Sequence, residues 1–298
     1  MRCHALRFCV ALLLANGVHA GQMTATPALA AGHEDPGAFA CAAITGPGPS
    51  RSLRVGVFRR DDRDAGSTLN YEAFASRANR LPGVTLTPLS PRDYARADLS
   101  RFDVLVFPGG NSGAQGRSIG EKGRAAIRRY VDNGGGYLGI CAGAYLATTG
   151  YPWSLGILNA RTVSPHNWAR GEGRVDVQLS ESGRSLLGDY PQAISITYAN
   201  GPILEPLNRA DLPGYTVDAW YRSEIAENGT PHNVMINSPA FVRATYGRGR
   251  IVAISPHPEL TPGLENVVPR VLLWLATGDQ PVTPPSASLA MTDTPARR

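Results

Sequence analysis

From residue 53 onward the chain alternates short apolar runs with stretches of helical periodicity. Leu53–Phe58 reads as a buried strand. An Arg- and Asp-rich loop follows over 59–64, then a helix over 67–80 whose core stripe is Leu69, Phe74 and Ala78. Strands are expected at Val84–Leu89 and 103–107, the second running into Pro108, Gly109 and Gly110. Residues 111–117 read as a polar loop, and 121–132 as an amphipathic helix with Ala125, Ile127, Tyr130 and Val131 toward a sheet, closed by Asn133 and Gly134. Gly136–Ile140 is then a buried strand that passes without a loop into a helix beginning just after Cys141. Strands alternating with helices predict an α/β fold with a parallel sheet and right-handed crossovers.

Beyond residue 149 the pattern loosens. Residues 151–158 resemble a connector, and Pro165, His166, Asn167 and Trp168 form a polar-aromatic patch placed to overhang a site. Short strands are expected over 174–179, 193–199, 215–221 and 234–236, as a small antiparallel extension of the sheet. An apolar strand at 250–255 and an apolar helix at 267–276 close the pattern.

The ends differ in character. Residues 1–20 carry Arg2 and Arg7, then an apolar run over 8–18, then the small-residue cleavage signal Val18, His19, Ala20. That is the form of a secretory signal peptide, so the mature protein is expected to be secreted or periplasmic. Residues 21–50 are Ala-, Gly- and Pro-rich and read as a flexible lead-in; 51–277 reads as one domain, and 278–298 as a disordered tail. No later run is long enough to span a bilayer, so no membrane association is expected of the mature form.

Composition changes this picture little. Of 298 residues, 43% are hydrophobic and 18% charged, which suits a globular core. The formal charge of +5 falls once Arg2 and Arg7 leave, and the remaining arginines are spread along the chain, so nucleic acid is not an expected partner. Removing the signal also takes Cys3 and Cys9, leaving Cys41 and Cys141. In an oxidising compartment a Cys41–Cys141 disulfide is a rival to a reactive thiol. A lipid anchor on Cys41 would need a lipobox that the preceding residues do not supply.

The chemistry concentrates at Cys141. Gly139 and Gly143 flank it as G-x-C-x-G, the thiol counterpart of a nucleophile elbow, where small neighbours permit a strained strand-to-helix corner. A helix N-terminus there favours thiolate. The apolar strand at 250–255 exits into Ser255, Pro256, His257, Pro258 and Glu259. In an open α/β sheet, groups at the carboxyl ends of different strands can meet, so His257 is the candidate acid/base and Glu259 its orienter. Backbone N–H groups of Gly109, Gly110 and Ala142 are candidates for an oxyanion hole. The bland alternatives are a buried Cys at a glycine-rich strand end, a His bonded to a carbonyl, and a solvated carboxylate. Asn111, Gln115 and His166 are weaker candidates for substrate contact. No zinc or calcium spacing, dinucleotide fingerprint or Walker sequence is present, and no cofactor is implied.

Together, P-G-G at 108–110, G-I-C-A-G at 139–143 and S-P-H-P-E at 255–259 resemble the class I glutamine amidotransferase-like superfamily. The run 108–147 is more closely similar to the domain at the N-terminus of eukaryotic biotin-protein ligases and in free-standing bacterial proteins. Tyr198 to Pro202 resembles that family's Tyr-Asn-Gly-Gly segment imperfectly, which adds Tyr198 and Asn200 as candidate substrate contacts. The resemblance covers roughly 51–277 and implies a flavodoxin-like, mostly parallel sheet sandwiched by helices, with a Cys141, His257, Glu259 triad. It supplies no substrate. A related branch places its His directly after the Cys; here Ala142 follows, which leaves His257 as the base. Three functions fit: an exported cysteine amidase or hydrolase acting on an amide or γ-glutamyl-type bond of a small molecule or peptide, a non-catalytic small-ligand module, and a glutamine amidotransferase with an unseen partner.

Overall fold

The computed structural model describes residues 52–60, 65–190 and 193–278. The leader at 1–20, the lead-in at 21–50, Cys41 and the tail from 279 lie outside the described residues. In chain order the elements are β1 (Leu53–Phe58), α1 (Ala65–Ala78), β2 (Val84–Leu89), β3 (Val104–Phe107), α2 (Ser112–Asp132), β4 (Gly136–Ile140), α3 (Ala142–Ala147), β5 (Ala160–Thr162) and β6 (Glu172–Leu179). They continue as α4 (Glu181–Leu187), β7 (Ile194–Ala199), β8 (Leu204–Pro206), β9 (Tyr215–Tyr221), β10 (Pro239–Tyr246), β11 (Gly249–Ile254) and α5 (Val267–Thr277). Among the described residues no helix is long and apolar enough to cross a membrane.

A nine-stranded sheet runs β2-β1-β3-β4-β11-β10-β9-β6-β7. From β2 to β11 every pairing is parallel, and from β11 to β7 every pairing is antiparallel. This is the flavodoxin-like α/β architecture, extended by an antiparallel half. The inner parallel strands β1, β3 and β4 are buried on both faces, which is why they read as almost unbroken apolar runs. On one face Val55, Val57, Val106, Leu138 and Ile254 pack against Phe74 of α1 and Leu272 of α5. On the other, Leu105, Phe107, Tyr137 and Ile251 pack against Ile127 and Val131 of α2. Phe58, Tyr94, Phe107 and Tyr137 continue that second face as a chain of rings, adjacent centroids being 5.2–6.0 Å apart.

The order of strands decides where the chemistry sits. β4 lies between β3 and β11, with Phe107 opposite Gly139 and Ile254 opposite Ile140. Three strands therefore end side by side, and the residues that follow them, Gly109, Cys141 and His257, emerge at one rim. The antiparallel half returns to this rim as well. Although β7 is the last strand of the sheet, Thr197 forms an isolated bridge to His257. A Cβ on Gly201 would lie 2.2 Å from the Ser255 carbonyl oxygen, so only glycine allows that approach.

Some elements differ from expectation. The stretch 111–117 is not a loop: α2 starts at Ser112 and is interrupted at Gly120 (φ 70°, ψ 170°). Its glycines serve packing, since a Cβ on Gly116 would lie 2.2 Å from the Trp153 carbonyl oxygen. Leu69 is 63% exposed, so the inward stripe of α1 rests on Phe74 and Ala78. Residues 234–236 are irregular; the strand is β10, joined to β11 by a turn whose Gly247 has φ 56°.

Candidate active site

Cys141 occupies a strained corner, φ 49° and ψ −99°, between β4 and α3. The two flanking glycines make that corner possible by close approach. A Cβ on Gly139 would lie 2.3 Å from the Gly143 carbonyl oxygen, and one on Gly143 would lie 1.9 Å from that of Phe107. Tyr137 fixes the turn from below, its hydroxyl donating to the Gly143 carbonyl at 2.8 Å. The sulfur is a free thiol, 6% exposed, and donates to the Ala199 carbonyl at 3.4 Å. α3 has only six residues, so its dipole is short and the imidazole is the more effective source of positive charge beside the sulfur.

His257 and Glu259 meet as a buried pair, Nδ1 to Oε1 at 2.7 Å, with side chains 3% and 0% exposed. The Cys141 sulfur is the imidazole's other electrostatic neighbour. Burial pulls the His257 pKa down, but the Glu259 carboxylate and the Cys141 sulfur outweigh it and hold the imidazole well above its ordinary value. Glu259 is steadied through its backbone: Arg77 Nε donates to its carbonyl at 3.1 Å while Arg77 Nη1 pairs with Glu265 at 3.0 Å. The second oxygen of Glu259, Oε2, is buried without a hydrogen-bond partner among the described residues.

The remaining predicted residues fall into different places. Gly110 (φ 132°) lines the same cleft as Cys141. Gly109 lies against the imidazole, where a Cβ would come within 2.7 Å of His257 Cε1. Ala142 is buried at the first position of α3. Asn111 lines the cleft but serves as the N-cap of α2, accepting from the Ala114 N–H at 2.8 Å. Gln115 is buried beneath the glycine loop, and its amide donates to the Pro108 carbonyl at 2.9 Å. Tyr198 is a core residue whose hydroxyl donates to the Gly201 carbonyl at 2.8 Å. Asn200 lines the cleft with φ 55°, its side chain accepting from the Gly171 N–H at 2.8 Å. His166 is exposed and does not line the cleft.

That cleft has a volume of about 540 Å³. Its walls include Tyr145, Tyr151, Trp153 and Trp168, and only Trp168 belonged to the patch that the sequence places over the site. The other rings follow the elbow closely in sequence, but no periodicity marks them. Sequence reasoning also missed Arg170, which is 2% exposed and donates to the carbonyls of Ile225 at 3.1 Å and Pro231 at 2.8 Å. Among the described residues no group of His, Cys, Asp and Glu could hold a metal ion.

Residues 99–167, which contain the elbow and the glycine pair, match the family described as biotin-protein ligase, N terminal. An uncharacterised protein of Chlamydia muridarum is 28% identical over 55% of this chain, and the match spans 65% of that protein's length. Phosphoribosylformylglycinamidine synthase subunit PurQ of a Synechococcus strain is 27% identical over 56% of this chain and 73% of its own. Among solved structures, a ThuA-like protein of Parabacteroides merdae superposes with a TM-score of 0.54 at 14% identity, covering 76% of this chain and 91% of that one. Another, from Bacteroides uniformis, gives 0.51 at 14% identity, covering 78% and 94%. At that identity the two structures speak for the fold alone. With the elbow, the glycine pair and the sheet order in view, this chain is similar to the class I glutamine amidotransferase-like proteins, and its residues 99–167 match the biotin-protein ligase N-terminal family.

Proposed function

We propose that the protein is a cysteine amidase built on the glutamine amidotransferase-like fold, exported by its N-terminal leader and acting on an amide or γ-glutamyl-type bond. The observation that carries this reading is the buried contact of 2.7 Å between His257 Nδ1 and Glu259 Oε1, with Cys141 as the imidazole's other neighbour. The Cys141 sulfur, its proton already taken up by His257 as a thiolate–imidazolium pair, attacks the carbonyl carbon. N–H groups at Gly110 and Ala142 receive the developing oxyanion. The tetrahedral intermediate collapses when His257 returns the proton to the leaving amine, which leaves a thioester. Water then attacks the thioester, giving its proton to His257, and the acid departs as the thiol is restored.

The test is the pH dependence of Cys141 alkylation by iodoacetamide, read by mass spectrometry, beside His257→Ala. An activated thiol reacts well below the ordinary thiol pKa of about 8.5 and slows in the variant. An inert Cys141 would overturn the reading. Turnover of glutamine, γ-glutamyl peptides and cell-wall peptides then sorts substrates.

A second reading, a small-ligand module without turnover, is favoured by one observation: the thiol hydrogen bond is made to the Ala199 carbonyl. A thiol held in that way would react at the rate of an ordinary buried cysteine. The likeness to PurQ, by name a synthase subunit, motivates a third, glutamine-dependent transfer with a partner; ammonia release that requires a co-purifying protein is its signature.

A further inference from the structure

We propose that the cleft at Cys141 accepts an uncharged amide carrying a ring with a flat apolar face, an aryl ring or the C–H face of a sugar, next to its scissile carbonyl, in preference to free glutamine. The inference rests on the nucleophile reading above and adds the substrate class to it.

The first argument is charge. Among the described residues lining the cleft, the thiol of Cys141 is joined only by glycines, aromatic rings, a proline, an alanine, a serine and two asparagines. Free glutamine brings an ammonium and a carboxylate, and each needs a counter-charge once water is displaced. The buried cation nearby, Arg170, is already committed to two carbonyls and lies 3.7 Å from Glu224 Oε2.

The second argument is that the rings are set before any ligand arrives. Tyr151 and Trp153 stack with centroids 4.5 Å apart and planes 14° from parallel, and Tyr145 meets Tyr151 at 6.3 Å edge to face. The hydroxyl of Tyr151 is tied to Thr162 Oγ1 at 2.6 Å, and that of Tyr145 donates to the Asn200 carbonyl at 3.2 Å. The Trp153 backbone rests on Gly116, with no room for a side chain between them. Trp168, 55% exposed, adds an open ring to the same cleft. A wall fixed in this way loses little freedom on binding, and its faces suit a flat apolar surface such as an aryl ring or the C–H face of a sugar.

The test uses chloroacetamides as probes of Cys141: the parent compound, its N-benzyl and N-glucosyl derivatives, and the α-amino acid chloroketone that mimics glutamine. In each, a bond forms between sulfur and the CH₂ carbon, chloride leaves with the bonding electrons, and the thiol proton stays on His257. Rates by mass spectrometry are divided by those of a free cysteine peptide. A ring probe is expected to exceed the parent by roughly tenfold, the scale of one ring contact. Within Trp153→Leu or Tyr151→Leu, each checked for folding by circular dichroism, the ratio of ring probe to parent should fall toward one. Whether benzyl or glucosyl gains tells which ring is meant. If the glutamine mimic gains most, or no ring probe exceeds a parent that itself outpaces the free peptide, the substrate class is wrong and the nucleophile stands. If no probe outpaces the free peptide, the nucleophile reading fails and takes the inference with it.

Discussion

Thr197 and His257 face one another in a lone antiparallel bridge, the His257 N–H donating to the Thr197 carbonyl at 2.8 Å. Thr261 completes it from the other side, its hydroxyl oxygen accepting from the Thr197 N–H at 3.0 Å and donating to the His257 carbonyl at 2.7 Å. His257 is therefore held through its backbone by the last strand of the sheet. Thr261→Val should lose both bonds and cost about 2 kcal/mol, because the groups left behind are removed from water. Urea unfolding measures the loss, and Cys141 alkylation should slow in parallel. Unchanged stability would mean that the hydroxyl does not hold the bridge.

Gly143→Ala should destabilise the protein by about 3 kcal/mol or more, since the new Cβ would fall 1.9 Å from the Phe107 carbonyl oxygen and a backbone atom cannot rotate away. A urea midpoint equal to that of the parent protein would contradict the close approach at the elbow.

Gly109→Ala tests the imidazole rather than the fold. Its Cβ would come within 2.7 Å of His257 Cε1 and 3.1 Å of the Asn70 amide. The ring is the softer neighbour, so it should move. Alkylation of Cys141 should drop by about 10²-fold, a scale set by small displacements of reacting groups, and its pH profile should approach that of His257→Ala. Far-UV circular dichroism should stay that of the parent. A parent-like rate would mean that the imidazole tolerates displacement.

The raised His257 pKa has a signed consequence for stability. Burial lowers it, and the Glu259 carboxylate and Cys141 sulfur more than reverse that. A group with a raised folded pKa contributes stability that is fully present below its unfolded value, about 6.5, and is lost as pH rises through the folded value. Glu259→Gln removes the main cause of the rise. The Tm gap between parent and variant should be widest near pH 6 and should narrow in alkali; a gap that widens with pH would reverse the assignment.

The parallel half of the sheet was legible because strands buried on both faces have few polar positions to interrupt them, as in β1, β3 and β4. Cys141, His257 and Glu259 could be read for a related reason: each follows such a strand. β10 was missed because it opens on Pro239 and carries Arg243 inside, a residue held there by Asp218 at 3.1 Å, Ser182 Oγ at 2.5 Å and the Trp274 ring at 5.1 Å. The first segment of α2 looked like a loop because of its glycines, of which Gly116 is there for Trp153, far along the chain. Tyr198 directs its hydroxyl to a backbone carbonyl, and Gln115 does the same with its amide nitrogen while its Oε1 is buried without a partner among the described residues. Such uses depend on what the fold brings near, and no local pattern announces them.

The adjacency of β4 and β11 also bears on how the sulfur comes to lie beside the imidazole. Cys141 follows β4 near the middle of the chain, while the imidazole beside it follows β11, the last strand among the described residues. Until β11 docks along β4, no imidazole stands beside the sulfur. The pairing of the two side chains is thus a product of the assembled sheet, and the elbow alone does not contain it.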